Sequence, residues 1–236
     1  MRHGAPQTEF CFQSWRAADL LASFGVFTAI PAMTSFAKFL LLGVILTAAS
    51  ARTASAAVAI GQPAPDFFVT DIAGRMHKLS DYRGQTVVLE WHNPDCPIVH
   101  KHYDSDNLPK LQRTATADGV IWLLINSGAP GKQGADYTAA EFKAWLKKYH
   151  AAPTAYLRDP AGKVGHLYAA KTTPHMFVIT ADGTLVYDGA IDSIRSADVA
   201  DVPKAVNYVT AALAAVKAGR PVEKAATQPY GCSVKY

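Results

Sequence analysis

One cysteine in this chain stands where sulfur chemistry is favoured. In Trp91-His92-Asn93-Pro94-Asp95-Cys96-Pro97, an apolar strand-like run ends just before Cys96 and a helical pattern with proline in its first turn begins just after it. Unpaired backbone N–H groups at a helix start, together with the helix dipole, favour negative charge. A thiolate there is stabilised and its sulfur is nucleophilic. His92 and His100 would add positive charge if protonated, His100 one helical turn after the cysteine, whereas Asp95 would oppose ionisation. A small buried cysteine at a strand end is the plainer alternative, but the strand-to-helix position followed by proline favours the reactive one.

The other cysteines are Cys11 and Cys232, and the three positions show no zinc-type pairing. Cys232 lies in Pro229-Tyr230-Gly231-Cys232-Ser233-Val234-Lys235-Tyr236, a tail without helical periodicity. His92, His100, His102 and His175 gather around the Cys96 motif in sequence or in expected position. A metal site is therefore a second class of reading. Cys96 and His100, at i and i+4, could share a helix face, and a third ligand from His175 or Cys232 would suit copper or zinc.

The elements that must position Cys96 can be read from periodicity and turn chemistry. Strands are expected at Phe67 to Thr70, Thr86 to Trp91, Val120 to Ser127 and Thr154 to Leu157, with a hairpin of Met176 to Thr180 and Thr184 to Tyr187 turning at Asp182-Gly183. The near-continuous apolar run at 120–127 suits a sheet covered on both faces. Helical patterns run from Pro97 to Asp118 with a break around Asp104 to Pro109, from Tyr137 to His150, from Gly162 to Ala169, and from Val202 to Ala218 before Gly219. Alternating strands and helices with a late hairpin predict one α/β domain on a central mixed sheet.

The N-terminal region has a different character. From Met33, Lys38 supplies a short basic start, Phe39 to Ala49 an apolar run, and Ala54-Ser55-Ala56 an A-x-A site, the pattern of a secretory signal cleaved before Ala57. Residues 1–32, with Cys11, then read as translated sequence upstream of the true start, 33–56 as the signal peptide, 57–219 as the domain and 220–236 as a tail carrying Cys232. The apolar run is shorter than the roughly 20 residues of a spanning helix, so a membrane is a partner only if the segment is retained. A periplasmic or secreted location permits disulfides, and the mature chain holds two cysteines.

Composition agrees with a globular domain. The 236 residues are 50% hydrophobic and 18% charged, enough for a sizeable core. Beyond residue 56 there are 19 basic against 17 acidic side chains, too small an excess to argue for nucleic acid.

Three segments carry a family resemblance: Gly61-Gln62-Pro63-Ala64-Pro65-Asp66-Phe67, then Val87-Val88-Leu89-Glu90-Trp91 leading into Asn93-Pro94-Asp95-Cys96-Pro97, and Thr172-Thr173-Pro174-His175-Met176-Phe177-Val178-Ile179. Together they resemble the thioredoxin-fold redoxins, specifically the peroxiredoxin-like branch of the alkyl hydroperoxide reductase and thiol-specific antioxidant superfamily. The resemblance implies a thioredoxin-like α/β fold with no cofactor. It also implies a cis peptide at Thr173-Pro174, whose preceding backbone lies against the reactive sulfur and can hydrogen-bond a bound chain. Asn93 and Val99, at CxxC spacing from Cys96, exclude a local disulfide. Asn93 takes the place of a threonine common in peroxiredoxins, and Arg158 is the candidate for the arginine that peroxidases set beside the sulfur.

Cys232 is the natural resolving partner of Cys96. The pair could instead form a structural disulfide closing a long loop, or Cys232 could stay a free thiol. The tail of about 17 residues, at roughly 3.3 Å each, can span up to about 55 Å, so reach is no obstacle. The leading expectation is an exported thiol-dependent oxidoreductase that reduces peroxides or exchanges disulfides through Cys96, with a thiol electron donor. The rival is a non-catalytic redoxin-fold protein that binds metal or a protein partner through the Cys96 and histidine face.

Overall fold

A computed structural model describes residues 58–236. The upstream extension, the signal segment and the cleavage site before Ala57 lie outside the described residues. Among the described residues no helix is long and apolar enough to cross a membrane.

Among the described residues, nine strands and five α-helices come in this order: β1 Phe68–Thr70, β2 Met76–Lys78, β3 Val87–Trp91, α1 Pro97–Asp104, α2 Asn107–Ala117, β4 Ile121–Asn126, α3 Ala139–Lys148, β5 Ala155–Arg158, α4 Lys163–Leu167, β6 Thr172–Thr173, β7 His175–Ile179, β8 Leu185–Gly189, α5 Tyr208–Lys217 and β9 Cys232–Ser233. The central sheet runs β5-β4-β3-β7-β8. Its β3–β4 and β4–β5 pairs are parallel, and its β3–β7 and β7–β8 pairs antiparallel. This is the expected mixed sheet flanked by helices, and the fold is thioredoxin-like. The α1/α2 break falls at Ser105 and Asp106, where Asp106 takes φ 55°, a conformation Asp tolerates better than most residues.

Alternation along the strands builds two apolar layers. Val87, Leu89 and Trp91 join Leu123, Ile125, Leu157 and Phe177 on one face, packed with Phe67, Val164 and Tyr168. Val88, Trp122, Leu124, Tyr156 and Val178 face the other way, onto Val99, Tyr103, Leu108, Phe142, Trp145 and Val209 of the helices. Trp91 therefore ends β3 on one side, while the chain continues through a short turn to place Cys96 in the helical layer.

The segment 202–218 is not one helix. A 3₁₀ turn occupies Val199–Lys204 with Pro203 inside it, and α5 starts afresh after Asn207, whose side chain accepts from the Thr210 N–H. Proline cannot continue an α-helical ladder, and the Asn cap begins a new one. Residues after Gly219 pack on the domain. Ala226 bridges Asp188 in parallel, the Thr227 hydroxyl accepts from the Ala190 N–H at 2.9 Å, and β9 pairs with β6.

The helical layer hides one carboxyl. Glu90 points from the middle of β3 into the helices and is fully buried. It accepts from Tyr103 Oη at 2.8 Å, Gln112 Nε2 at 3.0 Å and Trp122 Nε1 at 2.8 Å. Burial outweighs these three donors and raises its pKa to about 7. Unfolded, the same group loses its proton near 4.5. The folded state thus holds an extra proton between those values, and stability falls as pH rises from 4.5 to about 7, by an amount of order 3 kcal/mol. Glu90→Gln, which imitates the protonated carboxyl, is expected to remove this slope and raise the melting temperature at pH 8. Thermal unfolding across pH 4 to 9 checks this; an unchanged slope in the variant would contradict the assignment.

Candidate active site around Cys96 and Cys232

Cys96 is the N-cap of α1, with Pro97 at the first helical position. The turn before it is set by Asn93. Its Oδ1 accepts from the Asp95 N–H at 2.8 Å, and its carbonyl accepts from the Cys96 N–H at 3.1 Å. Such side-chain turns fix the backbone just ahead of a helix. The Asn93 Nδ2 donates to the Gln133 carbonyl at 3.1 Å, and Gly134 allows this approach, since a Cβ there would meet Asn93 Oδ1 at 1.9 Å. Asn93, which takes the place of the peroxiredoxin threonine, thus has its amide taken up in shaping the turn.

The Thr173-Pro174 peptide is cis. Cys96 Sγ donates to the Thr173 carbonyl at 3.0 Å, so the backbone before the proline does lie against the sulfur. That strand is also paired on its open side. Thr173 stands opposite Cys232 and Thr172 opposite Ser233 in antiparallel register. Gly231 makes the approach possible: at φ 137°, a Cβ there would sit 2.1 Å from the Thr173 carbonyl oxygen. The result is two reduced cysteines side by side, Cys96 fully buried and Cys232 part-exposed. Burial, then the hydrogen bond and charge of the neighbouring Cys96, push the Cys232 thiol up to about 11, while Lys235 acts in the opposite sense.

A buried polar cluster holds the segment that carries Cys232. Tyr230 Oη donates to Asp192 Oδ1. Lys101 Nζ donates to the Ile194 carbonyl at 3.1 Å and lies 3.7 Å from Asp192 Oδ2. His102 Nε2 is 3.3 Å from Tyr230 Oη, and its Nδ1 pairs with Asn107 Nδ2 at 2.8 Å. Burial lowers the His102 pKa to about 4, so this ring is neutral and the cluster balances one cation against one carboxylate. Isolated, either charge would carry a desolvation cost of several kcal/mol.

His92 does not supply the positive charge expected of it. His92 is enclosed by Tyr103, Trp145 and Tyr156, with Nδ1 2.9 Å from Tyr156 Oη and Nε2 without a partner. Burial, followed by the nearby His100, depresses its pKa to about 3. His100 Nδ1 meets Tyr149 Oη at 3.1 Å. His175 is turned to the Phe177 side of the sheet, its Nε2 on Asp188 at 2.7 Å and its Nδ1 accepting from the Lys171 N–H. The proposed Cys96, His100 and His175 ligands are thus split between the two layers. Among the described residues no group of three or more His, Cys, Asp and Glu side chains is arranged to hold a metal.

Arg158 also goes elsewhere. Its guanidinium donates to the Tyr137 and Ala135 carbonyls at 2.8 and 2.9 Å and covers the Phe142 ring; none of its hydrogen bonds reaches Cys96. Unpaired carbonyls in the turn before α3 claim it. The sequence analysis assigned no part to Tyr103, Lys101 or Asp192 and none to the side chains of Glu90 and Tyr230. A glutamate inside the apolar run Val87 to Trp91 was the available signal, since a charged residue in a covered strand needs partners. Lys101, Asp192 and Tyr230 are far apart in sequence and carried none.

This geometry can be set beside known proteins. The chain is 38% identical over 80 residues to the thiol-disulfide oxidoreductase ResA of Geobacillus thermodenitrificans, a match covering 33% of this chain and 44% of that protein. It is 28% identical over 132 residues to the ResA of Bacillus thuringiensis, covering 55% of this chain and 68% of that protein. The first curated relatives are therefore matched over less than half their length. Among solved structures, an uncharacterized conserved protein from Geobacillus kaustophilus superposes with TM-score 0.66 at 27% identity, over 76% of this chain and 93% of that one. A hypothetical protein from Sinorhizobium meliloti 1021 gives TM-score 0.64 at 25% identity, over 76% and 96%. The sequence model of the AhpC/TSA family matches residues 60–188, more than half of the chain, and with the sulfur at the helix start and the cis-proline beside it, this chain belongs to the AhpC/TSA family.

Proposed function

We propose that this protein is an exported thiol-disulfide oxidoreductase whose redox unit is Cys96 with Cys232. The observation that carries this reading is the register of β9 on β6: Thr173, whose carbonyl accepts from Cys96 Sγ, stands opposite Cys232. Two thiols held in that relation can pass between dithiol and disulfide, taking up or releasing two electrons and two protons. The ResA relatives, named as thiol-disulfide oxidoreductases, support the reading over their matched segments. Peroxide reduction is the weaker of the two chemistries. The amide of Asn93 and the guanidinium of Arg158 are both committed to carbonyl groups of the 133–137 loop, and Cys96 is covered.

A titration against dithiol and disulfide buffers is expected to give one two-electron transition in the full chain, absent from Cys96→Ser and from Cys232→Ser. A chain that stays a dithiol at every potential overturns the proposal. Hydrogen peroxide consumption by the same preparation, with a thiol donor, measures the peroxidase arm and is expected to be slow.

Gly231→Val should weaken the couple without touching either sulfur. The added atoms collide with the Thr173 carbonyl at a backbone angle disfavoured for a branched side chain, a strain of about 1–3 kcal/mol. Intramolecular disulfide formation on oxidation is expected to slow about ten-fold or more, through loss of the oriented approach; an unchanged rate would show that the pairing does not position Cys232.

Export is part of the proposal and rests on the basic start, apolar run and A-x-A site of residues 33–56. Intact-mass analysis of the protein made from its own start site should find Ala57 as the first residue. Retention of Phe39 to Ala49 would instead make it membrane-anchored.

A further inference from the structure

The two sulfurs are unequally placed. Cys96 has no exposed surface. The strand that covers it is held at several points: the Val234 N–H donates to the Lys171 carbonyl at 3.0 Å, and the Ala129 N–H to the Lys235 carbonyl at 2.7 Å. Tyr230 is tied to Asp192. Tyr236 stacks on His166 at 4.0 Å between ring centres and donates to the Ala170 carbonyl at 2.8 Å. Cys232, in contrast, is part-exposed and lines a cleft of about 400 Å³ with Pro97, Ile98, Arg195, Tyr230 and Gly231. Cys96 does not line that cleft.

An in-line attack on a disulfide needs access to the sulfur attacked, along the axis of the bond that breaks. From the cleft, that sulfur is Cys232. We propose that Cys232 is the exchange port of this protein: an external dithiol donor attacks the Cys96–Cys232 disulfide at the Cys232 sulfur, and Cys96 is the leaving group. This deepens the redox couple proposed above and rests on it. It also reverses the roles expected from sequence, in which Cys96 met the substrate and Cys232 only resolved the product.

The chemistry closes without a further reactant. A donor thiolate forms a bond to Cys232 Sγ, the Cys96–Cys232 bond breaks, and its electron pair leaves with Cys96. The donor's second thiolate then attacks the donor sulfur of the mixed disulfide, forming the donor's own disulfide and releasing the Cys232 thiolate. The two protons lost by the donor end on Cys96 and Cys232, and two electrons have entered the chain. The reverse reaction would require the Cys232 thiolate to attack an external disulfide.

The test uses the full mature chain with both cysteines, so no variant has to fold. After diamide oxidation, the protein is exposed to the monothiol 2-mercaptoethanesulfonate, quenched in acid at times from one second to minutes, alkylated and mapped by mass spectrometry. The expected early product carries the probe on Cys232 and the alkyl group on Cys96, with at least about ten-fold more adduct on Cys232 than on Cys96, as unequal access to the two sulfurs requires. A preference for Cys232 below about ten-fold, or no adduct on Cys232 at any time, overturns the inference while leaving the couple standing. Failure of diamide to form the 96 to 232 disulfide would overturn the couple itself and the inference with it.

Discussion

The site depends on one backbone pairing: β9 laid against β6 beside the cis Thr173-Pro174 peptide. The Thr173 carbonyl takes the Cys96 thiol from one side, and the strand carrying Cys232 closes over the other. Without that pairing, Cys96 would sit at an open helix start with no second cysteine held beside it among the described residues, since neither neighbour at CxxC spacing is a cysteine. In the redoxins that this chain resembles, the backbone before the cis-proline is where an external chain can bind. Here that edge is occupied by residues 232–233 of the same chain. The C-terminus thereby presents its own cysteine as a bound partner would.

A two-residue ladder is too short to hold such a strand alone, and the surrounding polar groups make up the difference. Tyr230 reaches Asp192, and Asp192 is balanced by Lys101 from α1, the helix that Cys96 starts. The anchor of the tail and the helix under the reactive sulfur thus share one buried ion pair. Net stabilisation from such a pair is small, but its geometry is restrictive, because moving any member leaves a buried charge or hydroxyl unsatisfied. Glu90 plays a comparable part deeper in the layer, tying β3 to Tyr103 on α1, Gln112 on α2 and Trp122 on β4.

Much of this was legible in the sequence, for local reasons. The apolar run of 87–91, the Pro after Cys96 and the Asp182-Gly183 turn each fix structure within a few residues, and the sheet and the helix start followed from them; the cis bond at Thr173-Pro174 followed from the family resemblance. What was not legible depends on distant contacts. No periodicity marks 232–233 as a strand, because its partner is two residues long and its approach depends on Gly231 lacking a side chain. His92 reads as a titrating base beside a cysteine until the three aromatic rings that enclose it are known. Arg158 reads as free at a strand end until the Ala135 and Tyr137 carbonyls are found to hold it. The last helix was drawn too long because the pattern from 202 to 218 is continuous in apolarity, whereas Asn207 restarts the backbone ladder.

The central claim is that the C-terminal strand is a fixed part of the site in the reduced protein. Amide hydrogen exchange at Val234, whose N–H donates to the Lys171 carbonyl, tests it most directly, because exchange reports the free energy of opening that one pairing. The account predicts strong protection at Val234 in the reduced chain, slowed about a hundred-fold or more relative to an unstructured peptide, as for a hydrogen bond that opens only against a cost of several kcal/mol. Exchange at the rate of a free tail, with β3 amides still protected, would contradict it.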